Sequence, residues 1–499
     1  MKDRTKIKRN LGFGILGECL SIVIGVLVPR LVLTGYGSEV NGFLSSITQV
    51  FSYLSLIGVG IGQATTQALY KPVSENNKGS INSILSATNK VCLKSGGYFF
   101  ALSLVFAFAY PIVIQSEIPS VTVTLVILVH GFANAIEYFF LMKYFFLLQA
   151  EGKNYIQTGL NMAVSILKNI AKIILLLYKV DVVWVQSIAV FVNIIQAVYI
   201  NTYIKKNYNW IDLSVKPDKE ALSQRKNVFI HQIGGLVFNN TDTIILSLYT
   251  SLKTVSVYSM YSMLFGLVRT ALDTLSNGVT FKIGQLYTSN DDRFHSFFDT
   301  FELLYVTLSF ALFSIAQFFI EPFLKIYTFG ITDISYIDKY LPFLFVTMFM
   351  LSSARVPCNI VIFSAGHFKA TQNRSLIEAG INLVCSLFFV YLWGIYGVVM
   401  GSIIALLYRT NDMIIYANKV IIKRNPWCSY KKLVVNCISY FVVTLVNSHL
   451  HVRLDTYQAI FTFLVPYSLG SFILFFGMSM LTHRGSVRMI RELTNNKAT

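Results

Sequence analysis

The chain has 499 residues, of which 54% are hydrophobic and 14% aromatic; only 13% are charged, and the formal net charge is +17. Such a composition is too apolar for a soluble helical protein, and its apolar runs are too long for outer-membrane strands of about ten alternating residues. Most of the positive charge flanks apolar segments, where it sets membrane orientation and meets anionic lipid headgroups, so nucleic acid is not an expected partner.

In chain order, apolar segments fall near 11–33, 42–66, 84–114, 120–148, 155–178, 182–204, 228–250, 255–281, 296–325, 341–364, 375–393, 396–418, 432–450 and 457–482. Each is long enough for a hydrocarbon core of about 30 Å. The expectation is an all-α, polytopic membrane protein of about fourteen transmembrane helices. The basic start resembles a signal sequence, yet Gly14 to Leu33 is of full span length with no small-residue cleavage site behind it, so it is read as a retained helix.

Lys and Arg collect in every second gap. One set runs from Lys2, Arg4, Lys6, Lys8 and Arg9 through Lys205, Lys206, Lys216, Lys219, Arg225 and Lys226 to Arg484, Arg488, Arg491 and Lys497, and holds 28 cations. The alternate gaps hold 5: Lys179, Lys253, Lys325, Lys339 and Arg453. The positive-inside rule then puts both termini in the cytoplasm, as an even span count also requires, and the expected location is a bacterial cytoplasmic membrane. The six cysteines include no C-x-x-C pair, so neither a disulfide frame nor a metal site is expected.

The longest polar interruption, 205–227, reads as a cytoplasmic basic linker. It separates an N-terminal six-helix lobe (1–204) from a C-terminal six-helix lobe (228–418), leaving 419–499 as a final helix pair and cytoplasmic tail. The chain echoes itself across it at an offset near 215: Val40-Asn41-Gly42-Phe43 resembles Val255-Ser256-Val257-Tyr258, and Gln149-Ala150-Glu151-Gly152 resembles Ser364-Ala365-Gly366-His367. Such an offset implies same-orientation repeats. Loops between spans leave no room for a soluble module, and phosphate-loop, H-E-x-x-H and G-x-S-x-G motifs are absent, so no catalytic residues, cofactor or enzymatic activity are expected.

Setting those 33 flanking cations aside from the chain's 41 leaves eight within the spans: Arg30, Lys90, Lys94, Lys168, Lys172, Arg269, Arg355 and Arg409. Each costs about 2.5–3.5 kcal/mol near a helix centre unless it meets protein or water, or snorkels from a helix end. Lys90, Lys94 and Arg30 lie close enough to an end to snorkel; Lys168 and Lys172 do not. Asn161, Ser165, Lys168 and Lys172 follow at i, i+4, i+7 and i+11, a single helix face, with no acid at i±3 or i±4 of either lysine. That pattern points to an anion. Arg269 with Asp273 and Arg409 with Asp412 have ion-pair spacing, so a purely structural reading stands beside a binding one. The intramembrane acids are Glu18, Glu137, Asp242, Asp273, Glu302, Glu378 and Asp412. Of these Glu18, Asp242 and Asp273 are candidates for coupling to a proton or sodium gradient, and they are equally suited to neutralising the cations.

The fourteen-helix layout, the K-x-K-R-N start at Lys6 to Asn10, the Pro29-Arg30 step and the run Gly35-Tyr36-Gly37-Ser38-Glu39-Val40-Asn41-Gly42-Phe43 resemble the Wzx-type polysaccharide repeat-unit flippases. These belong to the multidrug/oligosaccharidyl-lipid/polysaccharide exporter superfamily. The resemblance implies an undecaprenyl-pyrophosphate-linked oligosaccharide as substrate, flipped by alternating access for O-antigen, lipopolysaccharide or capsule synthesis, with the polysaccharide polymerase machinery as a partner besides the bilayer. It also implies a cationic cavity, for which Arg30, Lys168, Lys172, Arg269, Arg355 and Arg409 are the candidates. A drug or cation antiporter of the same superfamily would call for an acidic cavity. A membrane-embedded polysaccharide polymerase or acyltransferase would call for a large outer loop or a deep His/Asp pair.

Overall fold

The structure is a computed structural model and describes residues 2–218, 240–289, 291–450 and 452–482, with side chains omitted for 2–22, 368 and 369. Among the described residues it is helical throughout, with twelve helical stretches long and apolar enough to cross a membrane. Helices prevail because lipid offers backbone amides and carbonyls no partner. The expectation of an all-α polytopic membrane protein holds.

The first two predicted spans form one 53-residue helix, α1 (Lys2–Leu54), broken only at Gly37, whose φ of 85° suits glycine and few other residues. A 3₁₀ turn (Ser55–Gly58) and Gly60 at φ 80° then redirect the chain into α2 (Ile61–Ser74). There follow α3 (Lys78–Val113), α4 (Ser120–Ile136), a π turn (Glu137–Leu141), α5 (Met142–Ala150), α6 (Asn154–Leu177) and α7 (Val182–Asn207). Of the span predicted at 228–250, residues 240–249 are described and helical (α8). The remainder are α9 (Leu252–Thr288), α10 (Arg293–Tyr327), α11 (Leu341–Ala354), α12 (Val356–Ser364), α13 (Phe368–Trp393), α14 (Ile395–Tyr416), a second π turn (Ala417–Ile422), α15 (Trp427–His449) and α16 (Tyr457–Thr482).

The chain forms two compact units, Met1–Ser256 and Val257–Thr499. In the first, Phe43, Phe51, Phe99, Tyr110 and Tyr138 build a buried aromatic core between α1, α3, α4 and the π turn. Gly42 lies so close to the Leu252 carbonyl that a Cβ there would overlap it. Beside that crossing Asn41 Nδ2 donates to Ser256 Oγ at 2.7 Å, a pair separated by 215 residues. In the second unit Tyr261, Phe265, Phe313, Phe345 and Phe349 stack as one core. Gly394, at φ 55°, turns α13 into α14 within a single residue. Gly397 and Gly401 then let the α14 backbone close onto Phe389 and Ser386, the small-residue spacing by which helices approach in lipid.

Gly401→Val is therefore expected to destabilise the second unit by about 1–3 kcal/mol or more, because the added atoms meet backbone as well as a side chain. Gly380→Ala on α13, where no atom lies within 4 Å, should be neutral or stabilising by up to about 1 kcal/mol. Thermal unfolding in detergent compares the two. Equal melting of Gly401→Val and the parent would refute the close approach.

Candidate functional site

The polar stripe of the fifth predicted span lies on α6 and faces α4 and α7 in the first unit. Its two ends are anchored to α7: Gln196 Nε2 donates to Asn161 Oδ1 at 2.7 Å, and Lys172 Nζ donates to the buried Gln186 at 2.9 Å. Asn193 ties α7 to α4 through the Ala133 carbonyl at 2.8 Å. Within this frame Lys168 makes no hydrogen bond and closes no ion pair within 4 Å among the described residues. The charges acting on it are Glu137, at the start of the π turn, and Lys172 one turn along α6. His130 on α4 stacks on Phe51 at 5.6 Å, feels both lysines, and keeps its Nδ1 buried without a hydrogen bond. The structure thus gathers Lys168, Lys172, His130 and Glu137 from helices that sequence spacing alone did not connect.

The second unit treats its cations differently. Glu378 on α13 is shared by Arg355, at the α11–α12 break, and by Arg409 on α14, the latter at 3.4 Å. Arg409 also binds Asp412 at 2.6 Å, and Asp412 in turn holds Arg374, whose guanidinium lies 4.7 Å from the Tyr416 ring. Three guanidiniums thus share two carboxylates, with Arg409 only 4% exposed. Arg269 and Asp273 form the half-exposed i, i+4 pair that their spacing suggested, at 3.6 Å.

A second network was not anticipated. Asp299 and Glu302 on α10 bind Arg424 at 2.9 and 2.7 Å and Lys432 at 2.6 Å each, while Ser429 Oγ donates to Glu302 at 2.6 Å. It fastens α15 to α10. Lys432, Arg374 and Lys143, counted among the 28 cations that flank the spans, all lie inside helices. Lys432 is 1% exposed, and Lys143, 8% exposed, donates to Asn89 Oδ1 at 2.8 Å and to the Phe139 carbonyl at 3.2 Å. For Arg374 and Lys432 the cause is simple: α13 and α15 begin several residues before their most apolar stretch, so a boundary drawn at the charge starts too late.

Among the remaining candidates, Arg30 is half-buried on α1, and its carbonyl accepts from Thr34 at 3.0 Å. Asp242 is buried in the first unit, next to Thr241, which hydrogen-bonds to Tyr53. Glu18 lies in the part of α1 whose side chains are outside the described residues.

Removing one shared carboxylate tests the second-unit network. Glu378→Gln removes the carboxylate that Arg355 and Arg409 share, leaves Arg409 to Asp412 alone, and is expected to cost about 3 kcal/mol. Arg269→Ala, which opens a half-exposed pair, should cost about 0–1 kcal/mol. Folded yield and melting temperature separate the two; similar losses would show that Glu378 is not the keystone.

No protein-family model and no curated protein matches the chain. Solved structures do. An inward-closed form of the lipid II flippase MurJ superposes with a TM-score of 0.68 at 14% identity, covering 96% of this chain and 100% of that one. An inward-facing multidrug resistance MATE-family transporter of the MOP superfamily gives 0.66 at 14% identity, over 80% and 94%. A MOP-superfamily transporter from Pyrococcus furiosus, described as having a binding pocket of reverse polarity, gives 0.54 at 15% identity, over 81% and 95%. The chain is a multi-pass membrane protein with the fold of these MOP-superfamily transporters.

Proposed function

We propose that the chain flips an undecaprenyl-pyrophosphate-linked oligosaccharide across the cytoplasmic membrane by alternating access, for O-antigen or capsule synthesis. The observation that carries this reading is Lys168: a cation well inside a span, without hydrogen bond or close ion pair among the described residues, beside a second lysine. A pyrophosphate passing through lipid needs its charge met by ammonium or guanidinium groups, and each such charge-assisted bond contributes about 1.5–3 kcal/mol. The MurJ structure, which spans nearly the whole chain, carries the name of a flippase for a lipid-linked substrate, and this supports the same cargo class here. On this reading the lobes are 1–204 and 228–418, joined by 205–227, with both termini and the linker cytoplasmic. Lys168 and Lys172 serve the pyrophosphate with Arg30. Arg269, Arg355 and Arg409 are the second lobe's cations, held in their present positions by Asp273, Glu378 and Asp412. The polymerase machinery takes the product on the outer face.

Lys168→Glu and Lys172→Glu should abolish polymer export while leaving folded protein in the membrane, and Arg at either site should be better tolerated than Ala. The Ala variants should lose roughly tenfold to hundredfold in flipping, as expected for one charge-assisted bond. Lipid-linked oligosaccharide should accumulate in the cytoplasmic leaflet of the deletion strain. Normal export by both Ala variants at native expression would make these lysines structural.

Transport is assigned to an ion gradient, with Asp242 ahead of Glu18 and Asp273. Asp242 is flanked by Asn239, Asn240, Thr241 and Thr243, whose polar groups suit a cation or a protonated acid. Asp242→Asn should bind substrate yet lose the dependence of flipping on ΔpH or sodium in proteoliposomes; unchanged dependence removes it from coupling. For orientation, cysteines placed at Thr250 or Asp333 in a cysteine-free background should react with an impermeant reagent from outside, and one at Lys216 should not. Reaction at Lys216 in intact cells reverses the topology.

A further inference from the structure

A polar cavity lies in the first unit, away from the α6 stripe. The segment 208–218, the start of the predicted linker, is stitched to α3: Asn82 Nδ2 donates to the Trp210 carbonyl at 3.1 Å, Ser86 Oγ to the Val215 carbonyl at 2.8 Å, and the Asp218 amide to the Ser83 carbonyl at 3.1 Å. Tyr208 is buried beneath it. This fold-back borders an open cleft of about 520 Å³ against the α2–α3 turn, the α5–α6 turn and the end of α7. That volume lies within the range of small-molecule sites, roughly 300–1,000 Å³.

The walls divide by chemistry. Tyr203, Tyr208 and Trp210 form an aromatic run with successive ring centroids 6.5 and 6.2 Å apart. Lys153 Nζ donates to Glu151 Oε2 and to Tyr208 Oη, each at 2.7 Å, and the Tyr208 hydroxyl donates to Glu151. Burial and the hydrogen bond to Glu151 push the Tyr208 phenol up to about 12, so it remains a donor at neutral pH. Lys78 is the uncompensated charge: its Nζ lies 5.5 Å from the Trp210 ring, and no carboxylate among the described residues comes within 4 Å of it. Asn207 adds an amide whose nitrogen is bound to the Tyr203 carbonyl at 2.8 Å. Aromatic faces suit the C–H faces of sugar rings, amide and acid groups suit hydroxyls, and a lone ammonium suits one phosphate.

We propose that this cavity binds a sugar phosphate, its phosphate on Lys78 and its ring against Tyr203 and Trp210. The proposal rests on the flippase reading and deepens it: the cavity captures the headgroup of the lipid-linked substrate at the cytoplasmic end, before the pyrophosphate reaches Lys168.

The test uses the full chain in nanodiscs with Trp184, Trp393 and Trp427 changed to Phe, so that Trp210 is the sole remaining indole of the four. The probes are hexose and N-acetylhexosamine 1-phosphates, a short-chain polyprenyl-pyrophosphate sugar, inorganic phosphate, and nanodiscs with and without phosphatidylglycerol. A saturable change in Trp210 emission with a sugar 1-phosphate is expected, weakened at least tenfold by Lys78→Ala, retained in Lys78→Arg, and tighter for the polyprenyl-linked probe. An equal response to inorganic phosphate alone, a response only to phosphatidylglycerol, or none to any probe overturns the proposal. Sugar phosphates that bind as tightly free as lipid-linked overturn headgroup capture. Failure here is distinct from failure of the flippase reading: a silent Trp210 in a protein that loses export on Lys168→Glu removes this site alone.

Discussion

A charge placed in a bilayer must be paired, hydrated or given a ligand, at a cost of about 2.5–3.5 kcal/mol near a helix centre otherwise. The second unit answers with carboxylates. Glu378 and Asp412 hold three arginines, and Asp299 and Glu302 hold Arg424 and Lys432, so the two networks act as rivets between α13 and α14 and between α10 and α15. The first unit answers with amides and carbonyls, Gln186 for Lys172 and Asn89 for Lys143. Against that background Lys168 is the mid-span cation to which the described structure gives neither a hydrogen bond nor a close ion pair, and the functional reading turns on it.

The span pattern was legible because membrane thickness fixes the length of an apolar segment. The last helix, Tyr457–Thr482, has the bounds its hydropathy predicts, and α7 overruns its prediction by three residues at one end. What escaped notice depends on distance in sequence. Arg424 finds Glu302 across 122 residues, and no spacing rule on one helix reveals such a partner. The close approach of Gly401 to Ser386 is similarly invisible, since a glycine in an apolar run announces neither its neighbour nor its purpose. The α6 stripe was legible in part: periodicity put Asn161, Ser165, Lys168 and Lys172 on one face, while Gln186, Gln196, His130 and Glu137 joined it only through packing.

The same backbone carries different cargoes among its structural neighbours, named as a lipid II flippase and as a multidrug transporter. The shared fold therefore does not choose a cargo, and any choice falls to side-chain chemistry inside the helices. Here that chemistry is cationic in the first unit and charge-paired in the second. The pairing also explains how arginines can be plentiful in a membrane protein without all of them binding substrate.

The π turn at Glu137–Leu141 acts as a phase shifter in the fourth span. An α-helix rotates about 100° per residue, so one extra residue held in a wide turn swings everything after it by that angle relative to an uninterrupted helix. His130 and Glu137 belong to one angular frame, and Lys143, Glu151 and the cavity beside Tyr208 to another. Insertions and deletions of a single residue can be absorbed at this turn without moving the axis of either half. The residues facing the α6 stripe and those facing the cavity beside Tyr208 are thus free to change independently, although one rod of polypeptide carries both.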